Sequence, residues 1–128
     1  MRLLCAVRGT VRVAAEDVEY RGVLFPKGTF VSFSLSSSNR DGAAFAEPDT
    51  FDITVERDAP QLTFGWGIHH CLGAGLARIE LQEGLSALSQ RLPDLVVNGE
   101  VEWKPATFGI WGPVSLPVRF TPSPAVTV

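Results

Sequence analysis

The sequence predicts an α+β chain in which short β pairs surround one long helix. Three observations carry this: brief β-branched and aromatic runs punctuated by Gly and Pro in the first 35 residues, one stretch of helical period from Leu72 to Leu92, and valine-rich runs after it.

The strands come first. Val11-Arg12-Val13 reads as one, and Val18-Glu19-Tyr20 and Val23-Leu24-Phe25 read as a hairpin across the two-residue Arg21-Gly22 link, closed by the turn Pro26-Lys27-Gly28. From Thr29 to Leu35 a period of two fits a further strand or the start of a helix, and both stay open. Ser36 to Thr63 is rich in Ser, Asp, Pro and Asn and reads as a meandering connection, longer than most in compact domains. The helix follows, with Leu72, Leu76 and Ile79 on one stripe and Leu81, Leu85, Leu88 and Leu92 on another, stopped by Pro93. Two apolar stripes predict burial over much of its circumference. Leu95-Val96-Val97, Val101 to Trp103 and Val114 to Phe120 then predict small β pairs, with Asn98-Gly99 as a hairpin signal.

Composition narrows the function. The 128 residues are 45% hydrophobic and 20% charged, with 11 Lys and Arg against 14 Asp and Glu for a formal charge of −3. That excludes disorder as the dominant state. A chain of this size buries roughly two-thirds of the surface its unfolded form exposes and needs no disulfide. The only cysteines, Cys5 and Cys71, are too few for a secreted framework. No apolar run approaches the ~20 residues needed to span a bilayer, so a soluble cytoplasmic protein is expected, without a membrane partner. Scattered arginines form no basic stripe with interleaved aromatics, which argues against nucleic acid.

The chemistry concentrates in Phe64-Gly65-Trp66-Gly67-Ile68-His69-His70-Cys71-Leu72-Gly73, followed by Leu76-Ala77-Arg78. Two glycines two apart permit backbone turns closed to other residues. The chain then delivers Cys71 to the start of the long helix, where unpaired amides and the positive end of the helix dipole favour a negative sulfur. Such a sulfur can be a nucleophile, a metal ligand or the axial ligand of haem iron. A lone intracellular cysteine is ordinarily a small buried hydrophobe, but these surroundings argue the other way. Zinc is the weaker metal reading, because adjacent His69, His70 and Cys71 rarely converge on one tetrahedral centre and no CxxC or HxxxH supplies the rest. A Cys–His nucleophilic site would need its other groups brought from elsewhere.

This segment resembles the haem-binding loop and following helix of the cytochrome P-450 superfamily, the haem-thiolate monooxygenases. Phe64, Gly65, Gly67, His69, Cys71, Leu72, Gly73, Leu76, Ala77, Arg78 and Glu80 fall, without a gap, where soluble bacterial members carry the same residues. The resemblance implies haem b (iron protoporphyrin IX) as cofactor, with Cys71 as the axial iron ligand, Phe64 packed against the cysteine loop, His69 on one haem propionate and Arg12 on the other. It implies Gly65, Gly67 and Gly73 as part of the same cofactor loop. A thiolate pushes electron density to iron and favours O–O cleavage, which suits such an enzyme. Glu19 to Gly28 is similar to the family's small sheet hairpin. Asn39-Arg40-Asp41 and Phe45 to Asp52 are similar to the segment leading into the meander, where a structural arginine network is anchored. Ser115 to Phe120 is similar to the last strand. Thr10, Gly109 and Ile110 are implied as substrate-wall residues.

The expected architecture is thus the C-terminal fragment of the mainly-α P-450 fold, one partial domain over residues 1–128: small hairpins, meander, cysteine loop, long helix and terminal strands. No catalytic residue is expected within it, since no stretch resembles the family's central oxygen-activating helix. Arg2 falls on the arginine of the family's Glu-x-x-Arg motif, so the sequence begins inside that motif, and Arg2 is expected either as an uncompensated charge or solvated at a ragged terminus. The complete enzyme would insert one atom of O₂ into a small organic substrate with electrons from a ferredoxin or flavoprotein. The alternative is a truncated non-catalytic remnant that binds haem weakly or not at all.

Overall fold

The computed structural model describes residues 1–56, 58–105 and 110–122. These fall into two compact units. The first is built from Met1–Trp66 and takes in Ile110 and Trp111; the second is Gly67–Pro105 with the chain from Gly112 onward.

In the first unit β1 (Gly9–Val13) pairs antiparallel with β4 (Phe30–Ser34), placing Thr10 opposite Phe33 and Arg12 opposite Val31. Gly9 permits the close approach, since a Cβ there would lie 3.0 Å from the Phe33 carbonyl oxygen. β2 (Val18–Tyr20) and β3 (Val23–Phe25) form the expected hairpin. Its link has positive φ at both residues, Arg21 at 51° and Gly22 at 77°, the twist that suits a two-residue hairpin. Pro26 to Thr29 is a turn closed by the Thr29 amide on the Pro26 carbonyl at 3.0 Å, with Gly28 at φ 87°. Reciprocal backbone bonds of Ala14 with Gly28 and Thr29 carry the chain from the hairpin into β4.

Both readings of Thr29 to Leu35 hold in part. The strand runs to Ser34, and a four-residue α1 (Leu35–Ser38) begins directly after it. Ser34 is the switch: its hydroxyl accepts the Ser37 amide at 3.2 Å and so caps the turn. The meander that follows is held by polar bonds. Asn39 is completely buried; its Nδ2 donates to Thr63 Oγ1 at 3.1 Å and its Oδ1 accepts the Leu62 amide at 2.6 Å. Buried apolar side chains of this unit are Cys5, Leu35 and Phe45.

Arg2 is not left to solvent. Its Nη1 donates to the carbonyl oxygens of Asn39 at 2.7 Å and Pro48 at 2.6 Å, and its guanidinium lies 4.9 Å from the centre of the Phe45 ring. The expectation of a solvated terminus is therefore corrected, because the meander supplies main-chain acceptors and an aromatic face. Arg40, paired with Asp49 and donating to the Leu3 carbonyl at 3.0 Å, ties the same segments together.

In the second unit a single 3-10 turn (Gly67–His69) leads through Cys71 to α2 (Ala74–Arg91), 18 residues long. The helix begins two residues later than its periodicity predicts, with Gly73 at its N-cap. Its apolar stripes are exposed: Leu76, Ile79, Leu85 and Leu88 all lie open, and Ala74 is its one buried residue among those described. The predicted burial is thus corrected, since the described residues offer these stripes no covering surface. Among the described residues no helix is long and apolar enough to cross a membrane.

The terminal strands pair as predicted in kind but not in partner. β5 (Val96–Val97) pairs with β8 (Val118–Arg119), and β6 (Glu102–Trp103) pairs with β7 (Pro113–Ser115). Asn98-Gly99 is therefore not a hairpin turn between β5 and β6. The Asn98 amide donates to the Pro117 carbonyl at 2.9 Å, and Gly99, at φ 141°, passes so close to Pro117 that a Cβ would lie 3.2 Å from its side chain. The pairing is nested, with a longer-range partner outcompeting the local turn.

Candidate haem-thiolate site

The cysteine loop spans the division between the units at Trp66 and Gly67. Gly65 (φ 72°) and Gly67 (φ 70°) both occupy the left-handed region, so the two glycines are needed for backbone shape. Gly65 follows a turn closed by its own amide on the Leu62 carbonyl at 2.9 Å. That bond adjoins the Asn39–Leu62 bond, so the buried asparagine anchors the chain immediately before the loop.

Past Gly67 the 3-10 turn is closed by the His70 amide on the Gly67 carbonyl at 2.9 Å, and His69 is exposed. Cys71 is a free, exposed thiol whose carbonyl accepts the Ala74 amide at 3.2 Å, which starts α2. Both cysteines are free. Cys5 is the buried one, its thiol donating to the Val7 carbonyl at 2.8 Å. Beside Cys71 the surface is open: Leu72 and Ile68 are fully exposed, and a Cβ on Gly73 would meet Cys71 Sγ at 3.9 Å and nothing else within 4 Å.

In the first unit Thr10, Arg12, Phe33, Leu35, Leu62, Gly65 and Trp66 line a cavity of about 220 Å³. Its wall is mainly apolar, with one cation. Arg12 Nη1 donates to Thr10 Oγ1 at 2.9 Å and to the Val11 carbonyl at 2.8 Å. Of the expected residues, Thr10, Arg12 and Gly65 are thus brought together. Phe64 directly precedes Gly65 in the same unit. Ile110 lies elsewhere in the unit, bridged to Val7 and largely exposed, and does not line this cavity. Gly109 lies outside the described residues. Phe33 and Leu62 were not anticipated as lining residues. The alternation of Phe30 to Ser34 carries half the signal, but only the register with β1 puts Phe33 on the face of Thr10 and Arg12.

Residues 1–107 match the family model described as Cytochrome P450, and the chain belongs to that family. It is 49% identical over 109 residues to the luteothin monooxygenase of Streptomyces thioluteus, covering 85% of this chain and 27% of that protein. With the biotin biosynthesis cytochrome P450 of Bacillus subtilis it shares 43% over 112 residues, 87% of this chain and 28% of the relative. The chain thus spans less than a third of the length of these relatives. Among solved structures it is similar to P450BioI in complex with an acyl carrier protein bearing hexadec-9Z-enoic acid, with a TM-score of 0.88 and 41% identity over 94% of this chain and 31% of that one. Its similarity to CYP109E1 from Bacillus megaterium in complex with testosterone has a TM-score of 0.85 and 33% identity, over 93% of this chain and 33% of that one. The short β pairs, meander, cysteine loop and single long helix are accordingly part of a P-450 fold.

Haem b, held by a cysteine thiolate, is the family's cofactor. The residues present fit it. Among the described residues no group of three or more His, Cys, Asp or Glu could hold a bare metal ion, whereas a single open thiol suits an iron whose other ligands come from a macrocycle. The bare Gly73 beside the sulfur and the exposed Leu72 leave the space and apolar surface that a flat ring requires.

Proposed function

We propose that this chain is the proximal haem-binding part of a haem-thiolate monooxygenase. The observation that carries the reading is an exposed cysteine, set between two left-handed glycines and the first turn of α2, in a chain of the P-450 family. Cys71 would hold the haem iron through its thiolate. His69 and Arg12 hold the two haem propionates, each placing a donor where buried negative charge must be offset. Phe64 would pack beside the cysteine loop, while Gly65, Gly67 and Gly73 would let its backbone approach the ring. Thr10, Gly109 and Ile110 belong to the wall that meets substrate.

When bound, haem supplies the reductive activation of O₂ and transfer of one oxygen atom to an organic substrate. The residues of this chain bind and orient that group and set the electron donation of the sulfur. None of them is assigned a proton-transfer step. The substrate is a small organic molecule, the electrons come from a ferredoxin or flavoprotein, and the place of action is the cytoplasm.

The test is direct. Residues 1–128 are expressed, loaded with haemin, reduced and exposed to carbon monoxide. A thiolate-type Soret shift is expected in the wild-type chain and not in Cys71→Ser. No such shift, or the same shift in the variant, overturns ligation by Cys71.

A further inference from the structure

The arginine beside the apolar cavity is held rather than loose. Arg12 Nη1 makes both of its hydrogen bonds, to Thr10 Oγ1 at 2.9 Å and to the Val11 carbonyl at 2.8 Å. A guanidinium has five N–H donors, and Nη1 contributes two. The three left are those of Nε and Nη2, and the Nε N–H with one N–H of Nη2 forms the side-on fork that matches a carboxylate in a bidentate pair. Neither anchor uses that fork.

We propose that Thr10 is, besides, a positioning residue whose hydroxyl presents the side-on fork of Arg12 to a carboxylate of the cofactor. The inference rests on the haem reading above and assigns Thr10 a role there. β1 puts Thr10 and Arg12 on one face of the sheet, two residues apart, and their strand partners Phe33 and Val31 share that face. Phe33, Leu35, Leu62 and Trp66 make the cavity wall apolar, so a ligand seated there is mainly apolar with an anionic edge. A free arginine side chain carries much rotamer entropy, and every hydrogen bond that restrains it beforehand leaves less to lose on binding. The Val11 carbonyl is fixed by the backbone. The Thr10 hydroxyl is the one anchor that a side-chain substitution can remove.

Thr10→Val tests this, because it keeps the β-branched shape that suits a strand and removes only the hydroxyl. Haemin and haemin dimethyl ester, whose propionates carry no charge, are titrated into the full chain and into Thr10→Val and Thr10→Ser, and melting is followed for each protein. Thr10→Val is expected to weaken haemin binding by about 2- to 12-fold, the ordinary net worth of one hydrogen bond. Thr10→Ser is expected to restore it, the ester to bind the wild type and Thr10→Val alike, and melting of the haem-free proteins to stay together. Equal haemin binding by the wild type and Thr10→Val, or equal weakening of both probes, overturns the positioning role. Failure of the wild type to bind haemin in a Cys71-dependent way instead overturns the haem reading and this inference with it.

Discussion

Asn39 ties together distant polar segments of the first unit. It is fully buried, its amide side chain reaches Leu62 and Thr63, and its carbonyl accepts from Arg2. A buried polar side chain is tolerated only when its bonds are made, and here they join the beginning of the chain to the segment entering the cysteine loop. Asn39→Ala should cost about 2–4 kcal/mol, because it leaves the Leu62 amide and the Thr63 hydroxyl short of partners. Chemical denaturation measures this as a fall in midpoint at unchanged slope. The sequence marks Asn39 only as a residue in a polar stretch. Its burial depends on Leu62 and Thr63, more than 20 positions away, and no local pattern announces such a bond.

Among the elements, the terminal strands show how far local signals reach. Asn98-Gly99 carries the sequence signature of a tight hairpin, yet β5 takes β8 as partner and β6 takes β7. The nested arrangement is tied at its outer end by Asp94, which follows α2 and accepts both the amide and the hydroxyl of Thr121, just past β8. These bonds, the hydroxyl one first and the amide one next, hold the Asp94 carboxyl below its ordinary value of 3.8. A carboxyl depressed in the folded state contributes stability that is present above its unfolded value and is lost as pH falls through the folded one. Thermal melts of wild type and Asp94→Ala should therefore differ at pH 7 and draw together as the solution is acidified below the carboxylate range. A gap that stays constant in acid would remove the ionised carboxylate as its source. By contrast the β2–β3 hairpin was fully legible, since its strands adjoin and its Arg21-Gly22 link dictates both pairing and register.

At the scale of the whole molecule, the exposed apolar stripes of α2 stand out among the described residues. Leu76, Ile79, Leu85 and Leu88 are all open, although their spacing marks a helix designed for burial. Contiguous apolar surface of this kind promotes association. In this chain Leu85→Gln should change folding stability by no more than about 0.5 kcal/mol, as for other exposed positions, while reducing self-association. Melting curves together with sedimentation at several concentrations check both halves. A loss of several kcal/mol would mean that Leu85 is packed in solution.

The sequence by itself determined the α+β class, the first hairpin, the helix and the run from Phe64 to Gly73, because each is written in neighbouring residues through period, turn chemistry or the torsional freedom of glycine. Tertiary structure alone decided the rest. It docked Arg2 on the meander, set Phe33 and Leu62 beside Thr10 and Arg12, and gave β5 a partner over 20 residues away. These depend on strand register and on hydrogen bonds between distant segments, whose energies are comparable with those of the local alternatives they displace and leave no periodic mark in the chain.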